Sequence, residues 1–327
     1  STGPRRAHGA ELMALSDEVR ELASRVSNWG RWGDDDQLGC GNLITADATR
    51  RGAAGVLTGQ RISLGVDLRE DGIQIGQPAG RFNPILTFTS MSERDQFAPG
   101  IWEGCDDLVT MSTCAGTHID ALSHVSYDGL LYGGRPTGTI GARKGAGWCG
   151  AERLPQIATR GVLLDIPAVH GVDRLDPGSA VTAADLDAAV ERAKVSMQPG
   201  DVVCVRTGDI GWYLDGDRRR YAVGVDWKTV GIGLSCVEWF HRHDVAGAFV
   251  DSYTYEVMPP ESGNWDDLLC VHMVQLRDMG LLQGQNWNFE QLAVACAEDQ
   301  RYDFLLVATP EPIVGATSAP VSPVAVR

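Results

Sequence analysis

The chain has 327 residues, 43% of them hydrophobic, which is enough for one large domain or two smaller ones with buried cores. Its 28 Lys and Arg against 43 Asp and Glu give a formal charge of -15, which repels phosphate backbones and excludes nucleic acid as an expected partner. The sequence has no run of the roughly 20 apolar residues that span a bilayer and no signal-peptide core, so we expect a cytoplasmic protein without membrane contact.

The N-terminal region predicts two helices. Apolar residues recur at helical spacing from Glu11 to Val26, so we expect a helical arm over residues 1–30 that docks on the body of the protein or on a second subunit. Thr45 is a predicted N-cap of a short helix that ends near Gly59. The remaining residues, 31–327, show no repeat and no long linker, and we expect them to form a single α/β domain.

The next stretch predicts one strand and a long loop. Residues 62–66 alternate between apolar and polar side chains, as a strand does. Glycine and proline then punctuate the chain to about Gly100, which predicts a loop of the kind that forms pocket walls. Most large aromatics fill a core, but four tryptophans in predicted loops could line a pocket for a flat substrate: Trp102, Trp212, Trp265 and Trp287.

Residues 114–124 read Cys-Ala-Gly-Thr-His-Ile-Asp-Ala-Leu-Ser-His and place three potential metal ligands, His118, Asp120 and His124, close to a fourth, Cys114. A helix would point His118 and Asp120 about 200° apart, so they could not share an ion there. In an extended segment, residues two apart project to the same side, and the β-branched residues in this stretch favour that geometry. The cluster is therefore predicted to lie on a strand or a strand-edge loop.

The cluster allows three interpretations from the residues alone. The side chains could hydrogen-bond a loop and have no chemical role. They could instead bind a divalent cation, with the Cys114 thiolate replacing an imidazole on a metal such as zinc. Alternatively, Cys114 and His124 could form a nucleophile pair. The metal role is favoured over the nucleophile role, because His118 and Asp120 would be idle in the second.

Strands and helices alternate after this motif, which is typical of an α/β fold. The predicted strands cover 161–165, 201–206, 245–250 and, as the last strand, 303–308, and the predicted helices run from Thr182 to Lys194, Cys236 to His243 and Phe289 to Ala297. Residues 145–150 match Gly-x-Gly-x-x-Gly, but the flanking sequence lacks the strand and helix of a dinucleotide site, so we interpret them as a loop. Eight cysteines without a Cys-x-x-Cys pair predict reduced, mostly buried thiols.

The motif resembles the signature of the putative cyclase family, His-x-Gly-Thr-His-x-Asp-x-Pro-x-His, which is found in bacterial kynurenine formamidase and isatin hydrolase. The chain matches it at Gly116, Thr117, His118, Asp120 and His124, and departs from it at Cys114, in place of the first His, and at Leu122, in place of Pro. Further along, Cys270-Val-His272 is similar to the family's distal histidine, and Gln285 lies where a glutamate usually follows. The likeness runs from about Asn28 to the C-terminus.

This resemblance implies a fold and an assembly. The expected fold is the swivelling β/β/α domain of the family, an α/β fold in which helices flank a mixed sheet. Members are typically homodimers or homotetramers, so a second copy of the chain is an expected partner.

The resemblance also implies a metal-dependent hydrolase that cleaves a C–N bond, in an amide, lactam or formamide, of a small cyclic or aromatic compound. The expected cofactor is a divalent metal, zinc in preference to manganese. We expect His118 and Asp120 to hold it, with Cys114, His272 and Gln285 as further ligands or supporting groups.

His124 and His272 are the expected catalytic residues. His124 would shuttle the proton to the leaving nitrogen, or alternatively ligate a second ion. The substitutions at Cys114 and Gln285 keep two other functions open: a non-hydrolytic cyclase or dehydratase with a weakened or metal-free site, and an inactive relative that only binds a ligand.

Overall fold

A computed structural model of the protein describes residues 14–77, 80–94 and 103–327. The helices of this part of the chain are α1 (Asp17–Val26), α2 (Ala46–Ala54), α3 (Ile166–His170), α4 (Ala183–Ala193), α5 (Ile210–Leu214), α6 (Arg218–Val223), α7 (Ser235–Arg242), α8 (Cys270–Met273), which continues as a π-helix (Val274–Met279), and α9 (Glu290–Asp299). The strands are β1 (Arg61–Ser63), β2 (Ile85–Arg94), β3 (Glu103–Thr110), β4 (His118–Asp120), β5 (Ile140–Gly141), β6 (Gly145–Ala146), β7 (Ile157–Asp165), β8 (Ala180–Val181), β9 (Val202–Arg206), β10 (Gly231–Ile232), β11 (Gly247–Val250), β12 (Leu282–Gln285), β13 (Asp303–Ala308), β14 (Ser318–Pro320) and β15 (Val324–Val326).

A nine-stranded mixed sheet forms the centre of the fold, in the order β1-β15-β13-β7-β9-β11-β12-β4-β14. Strands β7, β9, β11 and β12 run parallel, and the strands on either side of them pair antiparallel. Strands β7 and β9 are rich in Val, Leu and Ile, as parallel strands are when helices cover both faces of the sheet. The expected mixed sheet with flanking helices is confirmed.

Successive residues of the parallel strands pack into two cores on opposite faces of the sheet. Val203 and Val205 of β9 face the core that contains α1, α4 and α7, whereas Cys204 faces the core that contains α9. The predicted N-terminal helix begins at Asp17 instead of Glu11, because the Ser16 side chain accepts the backbone N–H of the third helical residue and caps the helix there. Residues 11–13 of that prediction lie outside the described residues.

Most predicted elements are confirmed with small shifts. Thr45 and Thr182 are N-caps of α2 and α4, and Asp185 completes a capping box with Thr182. Strands β7, β9, β11 and β13 and helices α7 and α9 lie within a few residues of their predicted positions. The segment 145–150 was predicted as a loop, but its first two residues form β6, which pairs with β5 in a small hairpin. The rest leads into a 3-10 turn, so the segment does not join a strand to an α-helix as a dinucleotide-binding loop does.

Two predictions about strands were wrong. The predicted loop to Gly100 contains β2, which pairs antiparallel with β3 in a separate two-stranded ribbon. The local Gly and Pro content favoured a loop, but backbone hydrogen bonds from β3 stabilise a strand there. Strand β13 is not the last, because β14 and β15 follow; each has three residues, too few to show an alternating pattern.

The tryptophan prediction also needs correction. Trp287 is fully buried and stacks on Phe249 with ring centroids 4.2 Å apart, so it fills the core and does not line a pocket. Trp212 belongs to α5 and Trp265 to an exposed 3-10 turn, and Trp102 lies outside the described residues. None of the helices in the described part of the chain is long and apolar enough to cross a membrane.

Candidate functional site

Strand β4 places two of the predicted ligands on the same face of the sheet. It lies between β12 and β14, with His118 opposite Gln285 and Asp120 opposite Gln283 on β12. Ile119 points to the other face and packs in the core with Phe249 and Trp287. The predicted extended geometry is confirmed, and His118 and Asp120 project together as residues two apart on a strand do.

The segment before β4 fixes the orientation of the His118 ring. His118 Nδ1 donates to the carbonyl of Gly116 at 2.9 Å, which leaves Nε2 with its lone pair. A Cβ at Gly116 would lie 2.8 Å from Cδ2 of the half-exposed Leu68 side chain, which would have to move to admit it. Asn286, which has a positive φ of 59°, donates to the same Gly116 carbonyl and accepts from the Tyr221 hydroxyl. The orientation of the His118 ring therefore depends on Gly116, just before β4, and on Asn286, just after β12.

Lone pairs converge on one side of Asp120, which we call the acceptor side and define as His118 Nε2, His124 and Asp120 Oδ1. Asp120 Oδ1 lies 3.6 Å from His118 Nε2 and 3.8 Å from His124 Nε2. Within residues 14–77, 80–94 and 103–327, neither His118 Nε2 nor Asp120 Oδ1 has a hydrogen-bond partner, although both are buried. Buried polar atoms without a hydrogen-bond partner indicate a position where a ligand or a water molecule binds.

A chain of hydrogen bonds occupies the other side of Asp120, which we call the bridged side and define as Asp120 Oδ2, Gln285, His272 and Glu256. Gln285 Nε2 is 2.9 Å from Asp120 Oδ2 and 2.9 Å from His272 Nε2. His272 Nδ1 makes a short hydrogen bond to Glu256, whose carboxylate also accepts the backbone N–H groups of Val271 and His272 at 3.1 and 3.0 Å. Glu256 thus satisfies the first turn of α8 and orients the His272 ring.

The charges of the acceptor side suit cation binding at neutral pH. Burial lowers the pKa of His118 to about 4, and burial likewise lowers the pKa of His124. Burial acts to raise the pKa of Asp120, but His124, His118 and His272 outweigh it, so the net pKa is lowered. Two neutral imidazoles and an ionised carboxylate therefore face one another, and these are ligands that zinc and manganese accept.

Cys114 and Arg81 complete the surroundings of the cluster. Burial raises the pKa of the Cys114 thiol, so a metal or nucleophile role would first require the loss of its proton. The Arg81 guanidinium lies close enough to contribute to lowering the pKa values of His118, Asp120 and His124. Arg81 therefore brings a positive charge to the site that the motif did not indicate.

A divalent cation fits the acceptor side in its chemistry and in one key distance. Two ligands of a tetrahedral zinc ion lie about 3.4 Å apart when each bond is about 2.1 Å, close to the 3.6 Å between His118 Nε2 and Asp120 Oδ1. Nevertheless, no three His, Cys, Asp or Glu side chains in the described ranges already enclose a common point as a closed metal site does. Binding would therefore require a side-chain adjustment or ligands from outside this set, such as water.

The structure brings together five of the six predicted site residues through the contacts above: His118, Asp120, His124, His272 and Gln285. Their roles stay predictions, as does that of Cys114. Sequence reasoning missed Glu256 and Asn286. Glu256 lies in the apolar run 253–258, and an acid buried there must find a partner. That requirement was the one signal that could have identified it.

His124 is the most exposed side chain of the acceptor side. His118 and Asp120 are at most 1% exposed, whereas the His124 side chain keeps 17% of its surface exposed. Two cavities of about 540 and 440 Å³ share Gly65, Val66 and Asp67 in their walls, and the cluster lines neither of them. A substrate that reaches Asp120 would therefore first meet His124.

Comparisons with known proteins agree with this fold. The sequence profile of the putative cyclase family matches residues 62–257. A crystal structure described as a novel cyclase is 32% identical, with a TM-score of 0.83 over 93% of this chain and 99% of that chain. A comparison with curated protein sequences gives no significant match.

Two isatin hydrolases share the fold at lower identity. Isatin hydrolase A from Ralstonia solanacearum is 18% identical, with a TM-score of 0.58 over 81% of this chain and 91% of that chain. Isatin hydrolase A from Labrenzia aggregata, bound to benzyl benzoate, is 16% identical, with a TM-score of 0.58 over 85% of this chain and 99% of that chain. These two comparisons support the architecture and not a particular reaction.

Proposed function

Because this chain belongs to the putative cyclase family of enzymes, we propose that it is a metal-dependent hydrolase that cleaves a C–N bond of a small cyclic or aromatic compound. An amide, lactam or formamide is the bond class, suggested by the isatin hydrolases that share its fold. The observation that carries the proposal is the pair of buried, unsatisfied acceptors on the acceptor side, His118 Nε2 and Asp120 Oδ1.

His118 and Asp120 would hold the cation, zinc in preference to manganese, and Cys114 is a further candidate ligand once it loses its proton. A divalent ion bound there supplies activated water at neutral pH and polarises a carbonyl. The Gly116 carbonyl keeps His118 in the tautomer that presents Nε2 to the ion. The low pKa of Asp120 keeps its carboxylate ionised.

His124 would carry the proton. Its ring faces Asp120 Oδ1 and is partly exposed, so it can contact both the acceptor side and an entering substrate. Burial keeps the imidazole neutral at pH 7 and therefore able to accept a proton from the attacking water. It would then give that proton to the leaving nitrogen, so that one amine and one carboxylic acid form from amide and water.

Metal analysis together with a substrate panel tests this proposal. Protein purified without chelator should contain a transition metal, and it should hydrolyse members of a panel of aryl formamides, lactams and cyclic imides. Chelation should stop this activity and Zn²⁺ or Mn²⁺ should restore it. Less than about a tenth of an equivalent of any transition metal, with no hydrolysis after metal addition, would contradict the proposal.

The bridged side motivates a second candidate function. The Gln285 amide contributes no negative charge, and burial holds the Cys114 thiol protonated, so cation binding is weaker than a full set of anionic ligands would give. A non-hydrolytic cyclase or dehydratase would use His124 for proton transfer without activated water. Retention of full activity after chelation, with no uptake of ¹⁸O from labelled water into the product, would favour this candidate.

We also propose that a second copy of the chain covers the β2–β3 ribbon in a homodimer or homotetramer. A two-stranded ribbon is marginal by itself in water, and Leu86, Phe88, Leu108 and Val109 are each 45–59% exposed on it. Light scattering after gel filtration should show an oligomer that Phe88→Asp dissociates. Leu57→Asp, at an exposed apolar residue outside the ribbon, should leave the oligomer intact, and a monomeric wild type would contradict the proposal.

A further inference from the structure

We propose that the amide of Gln285 takes the place of a second cation between Asp120 and His272, so that the site accepts one divalent ion, on its acceptor side. This inference rests on the proposed function for that first ion. It assigns Gln285 a positioning role, because the residue acts through the two side chains that it holds together.

The hydrogen-bond geometry fixes which end of the amide faces the two side chains. Gln285 Nε2 lies 2.9 Å from both Asp120 Oδ2 and His272 Nε2. An amide NH₂ carries two hydrogens, one for each acceptor, and offers no lone pair to a metal. The opposite orientation would place the amide oxygen against a carboxylate oxygen, and two acceptors would then face each other without a proton.

Glu256 selects the tautomer of His272 that this bridge needs. His272 Nδ1 contacts the Glu256 carboxylate, which is itself held by two backbone N–H groups of α8. The proton on Nδ1 leaves Nε2 as an acceptor, matched to the Gln285 donor. A cation that entered between Asp120 Oδ2 and His272 Nε2 would displace the amide and leave its two N–H groups buried without partners, since Gln285 is 3% exposed.

A glutamate at position 285 would reverse this preference. Its carboxylate would face Asp120 with no proton between them, and the repulsion of two buried carboxylates is relieved by a cation. Together with His272 Nε2, the two carboxylates form a set of oxygen and nitrogen ligands that Mn²⁺ and Zn²⁺ accept. The single change of an amide to a carboxylate should therefore create a cation site that the natural chain closes.

Cation stoichiometry tests the inference. The full-length wild type and variants are titrated with Mn²⁺ alone by calorimetry, and bound manganese is counted after desalting. Gln285→Glu should bind about one equivalent more than the wild type, and the double variant Gln285→Glu/His272→Asn should lose that increment. Gln285→Met, which removes the bridge without adding a ligand, is the matched control and should gain none.

The wild type provides a second, independent readout. His272→Asn in the natural background should leave the manganese count unchanged, because His272 binds no ion there. A wild type that loses one ion on this substitution overturns the inference, as does a folded Gln285→Glu variant with the wild-type count. If Gln285→Glu fails to fold by circular dichroism, the comparison of wild type with His272→Asn decides alone.

These results separate the inference from the proposed function. A wild type that binds no cation and hydrolyses nothing contradicts the proposed function and the first ion on which the inference rests. A gain of about one equivalent in Gln285→Glu would even then support the positioning role of Gln285, which keeps a cation from the space between Asp120 and His272. Conversely, a wild type that hydrolyses amides with bound manganese, but loses an ion with His272→Asn, supports the function and overturns the inference.

Discussion

The two carboxylate oxygens of Asp120 differ in their hydrogen bonding. On the acceptor side, His118 Nε2 and Asp120 Oδ1 are buried and, as far as the described residues extend, unpartnered. On the bridged side, Asp120 Oδ2 accepts a hydrogen bond from the Gln285 amide, which also donates to His272, and His272 in turn is held by Glu256. One carboxylate therefore presents one oxygen to a ligand and uses the other to hold its position. The contrast teaches that a buried carboxylate can keep one oxygen free while hydrogen bonds to its other oxygen fix its position.

The largest expected effect is on cation affinity, and it comes from removing the negative charge of Asp120, which belongs to both the acceptor side and the bridged side. Asp120→Asn keeps the shape of the side chain but places an amide against the Gln285 amide, and it takes the anionic ligand from the acceptor side. We expect cation affinity to fall by more than about 100-fold, since loss of a mere supporting partner typically costs about 10–100-fold. Calorimetric titration with Mn²⁺ measures this. Asp128→Asn, an exposed aspartate that pairs with Arg20, is the control and should bind normally.

His124→Asn tests whether the acceptor side contains a proton carrier or a third ligand. If His124 carries the proton, turnover should fall by about 10²–10⁴-fold while bound metal stays at the wild-type amount. Steady-state kinetics and metal analysis of the same preparation give both values. Loss of the metal itself would instead assign His124 as a ligand. His170→Asn, at a half-exposed histidine paired with Asp185, should change neither value.

The pH dependence of stability tests the burial of His118 in metal-free protein. Its pKa is about 4 in the folded chain and 6.5 in the unfolded chain, so the unfolded chain binds more protons between these values. The unfolding free energy should therefore be fully present above pH 6.5 and fall as pH drops towards 4, by on the order of 3 kcal/mol from this group. Urea unfolding of wild type and His118→Asn should diverge across this range, and parallel curves would contradict the assignment.

The smallest effect is expected on the bridged side. Glu256→Gln removes one acceptor from a carboxylate that holds His272 and the first turn of α8, so we expect a loss of about 1–3 kcal/mol in unfolding free energy. Metal content should stay at the wild-type amount because the acceptor side is untouched. Glu261→Gln, at an exposed glutamate that accepts the backbone N–H of Leu234 and would keep an acceptor oxygen for it, should cost less than half as much in chemical denaturation. Equal losses of unfolding free energy in the two variants would contradict the role of Glu256 in holding His272 and the first turn of α8.

Local patterns were sufficient for the elements whose stability is local. Thr45 and Thr182 predict helix starts because a side-chain cap depends on neighbours within three residues. Three strands of the parallel centre, β7, β9 and β11, lie in apolar runs that the local pattern identifies as strands, whereas the fourth, β12 (Leu-Gln-Gly-Gln), has no such run and was not predicted. Strands β14 and β15 were not predicted, because each has only three residues and pairs with a strand far away in the chain, β14 with β4 and β15 with β1. Strand β2 pairs with β3, the next strand along the chain, and was missed because it lies in a stretch that Gly and Pro punctuate.

The sequence by itself determined that His118 and Asp120 share one face of a strand, since residues two apart project to the same side in an extended segment and not in a helix, whereas His124 follows in the turn after β4. Tertiary structure decided how that cluster is used. Strand β12 brought Gln285 opposite His118, and Glu256 reached His272 across the first turn of α8. The Glu256–His272 and Gln285–Asp120 hydrogen bonds join residues 16 and 165 positions apart in the chain, and no local periodicity carries information over such separations.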